Sequence, residues 1–162
     1  MDTDTAIVTE LNGLRHRVPD VTGSVLTGVD GLLITHDLAS AEAESIAALA
    51  AASVGLGRRF AMTAGHGDLR ETVIHGSRGQ VALYPVGDRA LLAVLAGPGT
   101  DPGLLHAHGR RAARSIVELL RSRPAGNVAA PVPGLLDNHA PLAVRTPMAT
   151  LPYNPALPRR RF

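Results

Sequence analysis

The run ALLAVLA at residues 90–96 constrains the fold of this chain more than any other stretch of its sequence. Every position in the run is apolar, so the alternation of buried and exposed side chains that marks a half-buried strand is missing. A strand of this composition is buried on both faces and lies inside a sheet rather than at its edge. Such a sheet needs helices on both sides, because apolar side chains project from both of its faces.

Four further segments have the composition of strands. SVLTG (24–28) and LLIT (32–35) flank Asp30-Gly31, a pair that tolerates the positive φ of a tight hairpin turn. RETVIH (70–75) alternates and carries charge, which is typical of an edge strand. QVALYPV (80–86) follows a turn at residues 77–79. Together with residues 90–96, these segments predict five strands.

Apolar residues at helical spacing predict three helices, at residues 4–18, about 40–61 and about 102–122. The last has a strong start signal, with Asp101 as N-cap and Pro102 at the first helical position. The buried stripes of the first and last helices are predicted to be Ile7, Leu11, Leu14 and Val18, and Leu105, Ala112, Ile116, Leu119 and Leu120. The element order is therefore α-β-β-α-β-β-β-α, an α+β arrangement.

The middle helix has two notable faces and a candidate N-cap at Ser40. The first face is predicted to pack against the sheet and comprises Ile46, Leu49, Ser53, Leu56 and Phe60. The second is small enough for another helix to approach closely and comprises Ala48, Ala51, Ala52 and Gly55. An equally simple interpretation of the second face is an exposed surface rich in alanine, a good helix former.

Composition and motifs exclude several kinds of chemistry. The chain has no cysteine, which excludes disulfides, thiolate catalysis and cysteine-ligated metals. It has no lysine, so a phosphate-binding loop with its lysine is impossible. Only 2% of residues are aromatic, too few for a base-stacking platform. Neither GxSxG nor HExxH occurs. We therefore expect no catalytic, cofactor-binding or metal-ligating residue in this chain.

The histidines are the remaining candidates for chemistry. His36 and Asp37 are adjacent in TGVDGLLITHD (27–37), but a catalytic dyad needs side chains that converge in space, which adjacency does not give. We interpret this segment as a hairpin corner that leads into the middle helix, with Asp37 at the junction. His106 and His108 are two positions apart on a helix and point in different directions, so they do not form a metal pair.

Residues 124–162 differ in composition from the rest of the chain. They hold eight of the twelve prolines and four arginines against one acid, whereas residues 1–123 hold twelve arginines against thirteen acids. We expect a folded domain at 1–123 and a disordered Pro/Arg-rich tail at 124–162. Because the basic excess lies in the tail, no nucleic-acid partner is expected. The acidic N-terminus and the lack of a long apolar run favour a cytoplasmic protein without membrane insertion.

This element order, with the segments VLTGVDGLLITHD and GQVALYPVGDRALLAVLA, resembles the bacterial, actinobacterial branch of the roadblock/dynein light chain family, over about residues 4–122. The resemblance implies a profilin-like sandwich, in which a five-stranded antiparallel sheet carries the middle helix on one face and the terminal helices on the other. It also implies a homodimer joined through the third strand and the middle helix, with interface residues Ala48, Ala51, Ala52, Gly55, Arg70, Thr72 and Ile74.

Members of this family regulate or scaffold small Ras-like GTPases, and bacterial relatives include the activator of a gliding-motility GTPase. Actinobacterial members are often encoded beside a sensor kinase-like protein and a small GTPase. The resemblance therefore implies a non-enzymatic dimeric regulator or scaffold, whose GTPase partner supplies nucleotide, Mg²⁺ and catalytic groups. Two alternatives remain open: a ligand-sensing profilin-like or PAS-like module with TAGHGD (63–68) at the rim of a pocket, and an adaptor whose C-terminal tail binds the partner.

Overall fold

The computed structural model describes residues 3–39 and 42–122. The elements are α1 (Thr3–Arg17), β1 (Val21–Gly28), β2 (Leu33–His36), α2 (Ala43–Thr63), β3 (Thr72–Gly76), β4 (Gly79–Val86), β5 (Ala90–Ala96) and α3 (Pro102–Arg121). The element order predicted from the sequence is confirmed. The predicted cap Ser40 and the tail at 124–162 lie outside the described residues.

The five strands form one antiparallel sheet in the order β2-β1-β5-β4-β3. β5 is the central strand, as its apolar run predicts, and Leu95 is its one residue that is not buried. β2 and β3 are the two edges of the sheet, so the predicted edge position of the segment at 70–75 is confirmed. The strand itself begins at Thr72, and the charged residues Arg70 and Glu71 precede it.

The two faces of the sheet carry separate cores. On one face, the stripes of α1 and α3 pack against alternate side chains of β5, including Leu92 and Val94. On the other face, α2 packs against the intervening side chains, including Leu91 and Ala93. The alternation of side chains along a strand thus assigns each buried residue of β5 to one core or the other. The predicted stripes of α1 and α3 are buried, with Leu119 and Leu120 only partly so.

The segment TGVDGLLITHD (27–37) contains the turn between β1 and β2. Gly31 has φ 83°, and a Cβ added there would lie 3.2 Å from the Cα of Ala48 in α2. Glycine is therefore required both by the backbone conformation and by the close approach of the helix. Asp30 does not adopt a positive φ; its carboxylate instead accepts a hydrogen bond from the Leu32 N–H at 3.1 Å. The segment is a hairpin corner packed on α2.

Asp37 fastens the end of β2 to β1. Its carboxylate accepts hydrogen bonds from the Ser24 backbone N–H and from the Ser24 hydroxyl, the latter at 2.9 Å. Its own N–H donates to the Ser24 carbonyl at 3.1 Å. His36 uses Nδ1 to accept from the Leu38 N–H at 3.2 Å. The two adjacent side chains therefore engage different groups and do not form a dyad, and Asp37 serves the junction as predicted.

The N-termini of α2 and α3 differ in how well the sequence predicts them. Asp101 caps α3 as predicted, accepting from the Leu104 N–H at 2.7 Å. The predicted start of α2 at residue 40 is wrong, because its N-cap is Glu42, which makes no side-chain cap bond. The N–H of Ile46 donates to the Glu42 carbonyl at 3.0 Å, and this bond opens the helix.

Tyr84 fixes the position of α3 over the sheet. The side chain is 1% exposed, and its ring lies against Gly109 in the middle of α3. A Cβ added to Gly109 would lie 2.4 Å from Cε2 of Tyr84, closer than packed atoms tolerate. α3 reaches its place because Gly109 leaves room for the ring.

We expect Gly109→Ala to destabilise the fold by about 1–3 kcal/mol, because the added methyl group overpacks the Tyr84 ring. Gly13→Ala is the matched control, since a Cβ there meets only the flexible end of Arg17. In the control, the gain in helix propensity is expected to leave stability unchanged or raised by up to about 1 kcal/mol. Denaturant unfolding monitored by circular dichroism measures both effects. Equal stability of Gly109→Ala and the wild type would contradict the close packing of the Tyr84 ring against Gly109.

Candidate functional site

The outward face of α2 carries large apolar side chains. Leu49, Leu56 and Phe60 are 66%, 62% and 69% exposed and occupy one row along the helix. The sequence-based prediction that these residues pack against the sheet is wrong, whereas Ile46 and Ser53 of the same stripe are half-buried. The residues buried against the sheet are Ala43, Ala47, Ala50 and Val54.

The reversal has a physical reason. Periodicity identifies an apolar face but not what covers it, and α2 has apolar residues on most of its circumference. Small side chains bring a helix axis close to a sheet, so Ala47 and Ala50 allow a tight contact that larger residues would prevent. The larger residues consequently remain on the outside of the helix, where they are exposed to solvent in the single chain.

The small face of α2 lies next to this exposed row. Ala48, Ala52 and Gly55 are exposed, and a Cβ added at Gly55 would meet nothing within 4 Å. Ala51, which we grouped with them from sequence, is partly buried beside Gly31 and contributes to the core under α2. The exposed face of α2 therefore combines a row of large apolar side chains with an adjacent strip of small residues.

The outer edge of β3, which pairs with no other strand in the described part of the chain, adjoins the exposed face of α2. Ile74 is 47% exposed, and Arg70, just before the strand, is exposed as well. Thr72 is partly buried. An apolar cleft of about 150 Å³ lies between the two elements, with Leu49 and Ile74 among its lining residues. We call this region the α2–β3 surface: the exposed residues of α2 named above together with the outer edge of β3.

A polar cluster joins the start of β3 to α3. Glu71 accepts two hydrogen bonds from Arg110, at 2.8 Å from Nε and 2.7 Å from Nη2. His106 Nδ1 lies 3.9 Å from Glu71 Oε1 and 2.9 Å from the Tyr84 hydroxyl oxygen. No sequence pattern predicts this cluster, since 39 positions separate Glu71 from Arg110.

The environment determines the protonation of this cluster. The hydrogen bonds from Arg110 lower the pKa of Glu71, against an opposing effect of partial burial, with His106 as a further lowering influence. Burial raises the pKa of Tyr84 well above its usual value, and the Glu71 charge adds to this effect. Tyr84 therefore remains a neutral phenol, and the cluster acts as a structural tie between β3, β4 and α3.

The described part of the chain shows no metal centre and no candidate membrane span. Within residues 3–39 and 42–122, no three His, Asp or Glu side chains are grouped so that they could hold a metal ion. None of the helices in that part of the chain combines the length and apolarity needed to cross a bilayer.

A mixed cleft lies at the C-terminal end of α2. Its volume is about 480 Å³, and its lining residues include Arg58, Met62, Asp68 and Asp88. Asp68 ends the segment TAGHGD, so this segment does contribute to the wall of a cleft. Both charge signs are present there, together with the exposed side chain of Met62.

Comparison with known proteins gives a consistent result. The family model described as "Roadblock/LC7 domain" matches residues 7–96. An uncharacterized protein of Methanocaldococcus jannaschii, MJ1340, is 33% identical over 111 residues, which cover 68% of this chain and 93% of that protein. A crystal structure of a Roadblock/LC7 domain from Streptomyces avermitilis has 29% identity and a TM-score of 0.67, covering 70% of this chain and 97% of that one.

Two structures of the protein MglB are similar in fold. One has a tetrameric arrangement and aligns with a TM-score of 0.70 at 20% identity, covering 75% of this chain and 92% of its own. The other, a gliding protein from Thermus thermophilus, aligns with a TM-score of 0.69 at 19% identity, covering 75% and 93%. The α+β sandwich, the match of the family model and the relatives agree, and the chain belongs to the Roadblock/LC7 domain family.

Proposed function

We propose that this protein is a non-enzymatic, dimeric regulator or scaffold of a small Ras-like GTPase in the cytoplasm of a bacterium. The observation that carries the proposal is the α2–β3 surface, where large apolar side chains lie beside a strand edge that is unpaired within residues 3–39 and 42–122. Membership of the Roadblock/LC7 domain family and the likeness in fold to MglB support it.

The α2–β3 surface has the properties of an interface between identical chains. Burying one Leu or Phe side chain fully contributes roughly 1.5–3 kcal/mol, and three such side chains lie in one row. The strip at Ala48, Ala52 and Gly55 lets a second helix approach closely. The free edge of β3 can pair with the same edge of a partner across a two-fold axis, which satisfies backbone groups otherwise left to water.

The interface we propose therefore extends the one inferred from sequence. It keeps Ala48, Ala52, Gly55, Arg70 and Ile74, all of which are exposed in the single chain. It adds the apolar row on α2. Ala51 and Thr72 are partly buried within the chain and contribute less area to it.

A regulator of this kind needs no catalytic group of its own. The GTPase holds the nucleotide and Mg²⁺, and its switch segments have alternative conformations that a partner can stabilise. A protein that binds one of these conformations more tightly shifts the equilibrium between them. Arg59 and Arg78 are exposed, but nothing in their surroundings singles out either as an arginine finger, and we assign that role to neither.

We expect Leu56→Glu and Phe60→Asp to convert the protein from dimer to monomer, because each places a charge within the apolar row. Leu104→Glu is the matched control, since Leu104 is 44% exposed on α3, away from this surface. Light scattering coupled to size-exclusion chromatography gives the molar mass, and circular dichroism checks the fold. A wild-type protein that is monomeric at every concentration, or folded Leu56→Glu and Phe60→Asp variants that remain dimeric, would disprove this interface.

A second experiment tests the GTPase role. A small Ras-like GTPase from the same organism is loaded with GTP, and its single-turnover hydrolysis and its release of labelled GDP are measured with and without the wild-type protein. We expect either rate to change if the protein is a regulator, and binding at unchanged rates if it is a scaffold. Leu56→Glu is expected to reduce either effect. Unchanged rates together with no measurable binding would eliminate both roles.

The two alternatives have separate tests. The mixed cleft at Arg58, Asp68 and Asp88 favours ligand sensing as a second candidate, and a saturable thermal shift with a small molecule would support it. The tail adaptor is tested by ending the chain at residue 123. Loss of GTPase binding would assign recognition to the tail, and retention would assign it to residues 1–123.

A further inference from the structure

Two adjoining clefts lie alongside α3, on the face of the sheet opposite α2. Their volumes are about 270 Å³ and about 250 Å³, and they share Gly87 and Val117 as lining residues. Gly87 lies in the turn between β4 and β5, and Val117 lies in the C-terminal half of α3. We call the combined feature the α3 groove.

Positive charge is concentrated at this groove. Five of the eleven arginines in the described residues line it, Arg70, Arg89, Arg110, Arg114 and Arg121. Among the described residues, Asp88 is the one acidic residue that lines it. Acids slightly outnumber arginines over residues 3–39 and 42–122 as a whole, so the enrichment is local.

Three of these five arginines are unpaired in the described part of the chain, whereas Arg110 is paired with Glu71 and Arg121 with Glu118 at 3.2 Å. Arg70, Arg89 and Arg114 are exposed and have no ion-pair partner within residues 3–39 and 42–122. Arg110 is held by two hydrogen bonds to Glu71, yet its side chain remains 53% exposed. The pair fixes the direction of this guanidinium before any partner arrives, which lowers the entropy cost of binding.

The floor of the groove is apolar. Pro85, Val86, Val117 and Leu120 line it between the arginines. A Cβ added to Gly87 would have only Val117 nearby, at 3.8 Å, so the turn leaves the groove open. An occupant that matches both features must carry carboxylates towards the arginines and aliphatic side chains towards the floor.

We propose that the α3 groove docks an acidic segment of a partner protein in which carboxylates and aliphatic side chains alternate. The charge of the groove selects the acidic groups, and its floor selects the aliphatic ones. A nucleic acid fits less well because the Tyr84 ring is buried and no aromatic face is offered for base stacking along the groove. Arg70 also adjoins the α2–β3 surface, so Arg89 and Arg114 are the residues that distinguish the two surfaces.

The test uses the full chain and a fluorescein-labelled synthetic peptide in which glutamate and leucine alternate. We expect saturable binding that weakens with added salt and perturbs the amide NMR signals of Gly87 and Val117. The double variant Arg89→Glu/Arg114→Glu replaces two exposed positive charges with negative ones. We expect its affinity for the peptide to fall about tenfold or more. Arg78→Glu is the matched control, because Arg78 is an exposed arginine in the turn at the opposite end of β4.

Three other probes make the proposal falsifiable. Peptides with glutamine in place of glutamate, or serine in place of leucine, are expected to bind at least several-fold more weakly. Equal binding by either peptide, or by single-stranded DNA of matched charge, would overturn the proposed occupant. No binding of the acidic peptide, or equal loss in Arg78→Glu, would overturn the site. The double variant is expected to keep the oligomeric molar mass of the wild type. A failure of the α3 groove to bind the peptide is therefore distinguishable from a failure of the proposed dimer.

Discussion

The burial of β5 on both faces is the constraint on which the rest of the structure depends. Because Leu91 and Ala93 project to one side and Leu92 and Val94 to the other, neither face of the sheet can be left to water. α2 covers one face, and α1 with α3 covers the other. The edges are then left to β2 and β3, and the surfaces available to partners follow from this arrangement.

The way in which α2 covers its face decides where the protein can associate. Ala47 and Ala50 bring the helix close to the sheet, and the larger Leu49, Leu56 and Phe60 remain outside. An isolated chain that leaves this much apolar surface in water beside a free strand edge has the hallmarks of an interaction site. The same packing that stabilises the single chain therefore creates the surface that we propose for the dimer.

The opposite face of the sheet has a different character. There most of the apolar stripe of α3 is buried in the core, and the helix presents arginines to solvent around a small apolar groove. Glu71 fixes Arg110, while Arg114 is left without an ion-pair partner in the described part of the chain. A protein with one apolar and one basic surface on opposite faces of a sheet is suited to self-association on one side and to recognition on the other.

The sequence by itself determined the order of the elements, the central position of β5, the edge position of β3 and the cap at Asp101, because each depends on residues close together in the chain. Only the tertiary structure decided which face of α2 is buried, since periodicity does not say whether Leu56 or Ala50 faces the sheet. It alone also brought Glu71 to Arg110, because contacts between distant residues depend on how the helices are placed on the sheet. Local spacing carries no information about that placement.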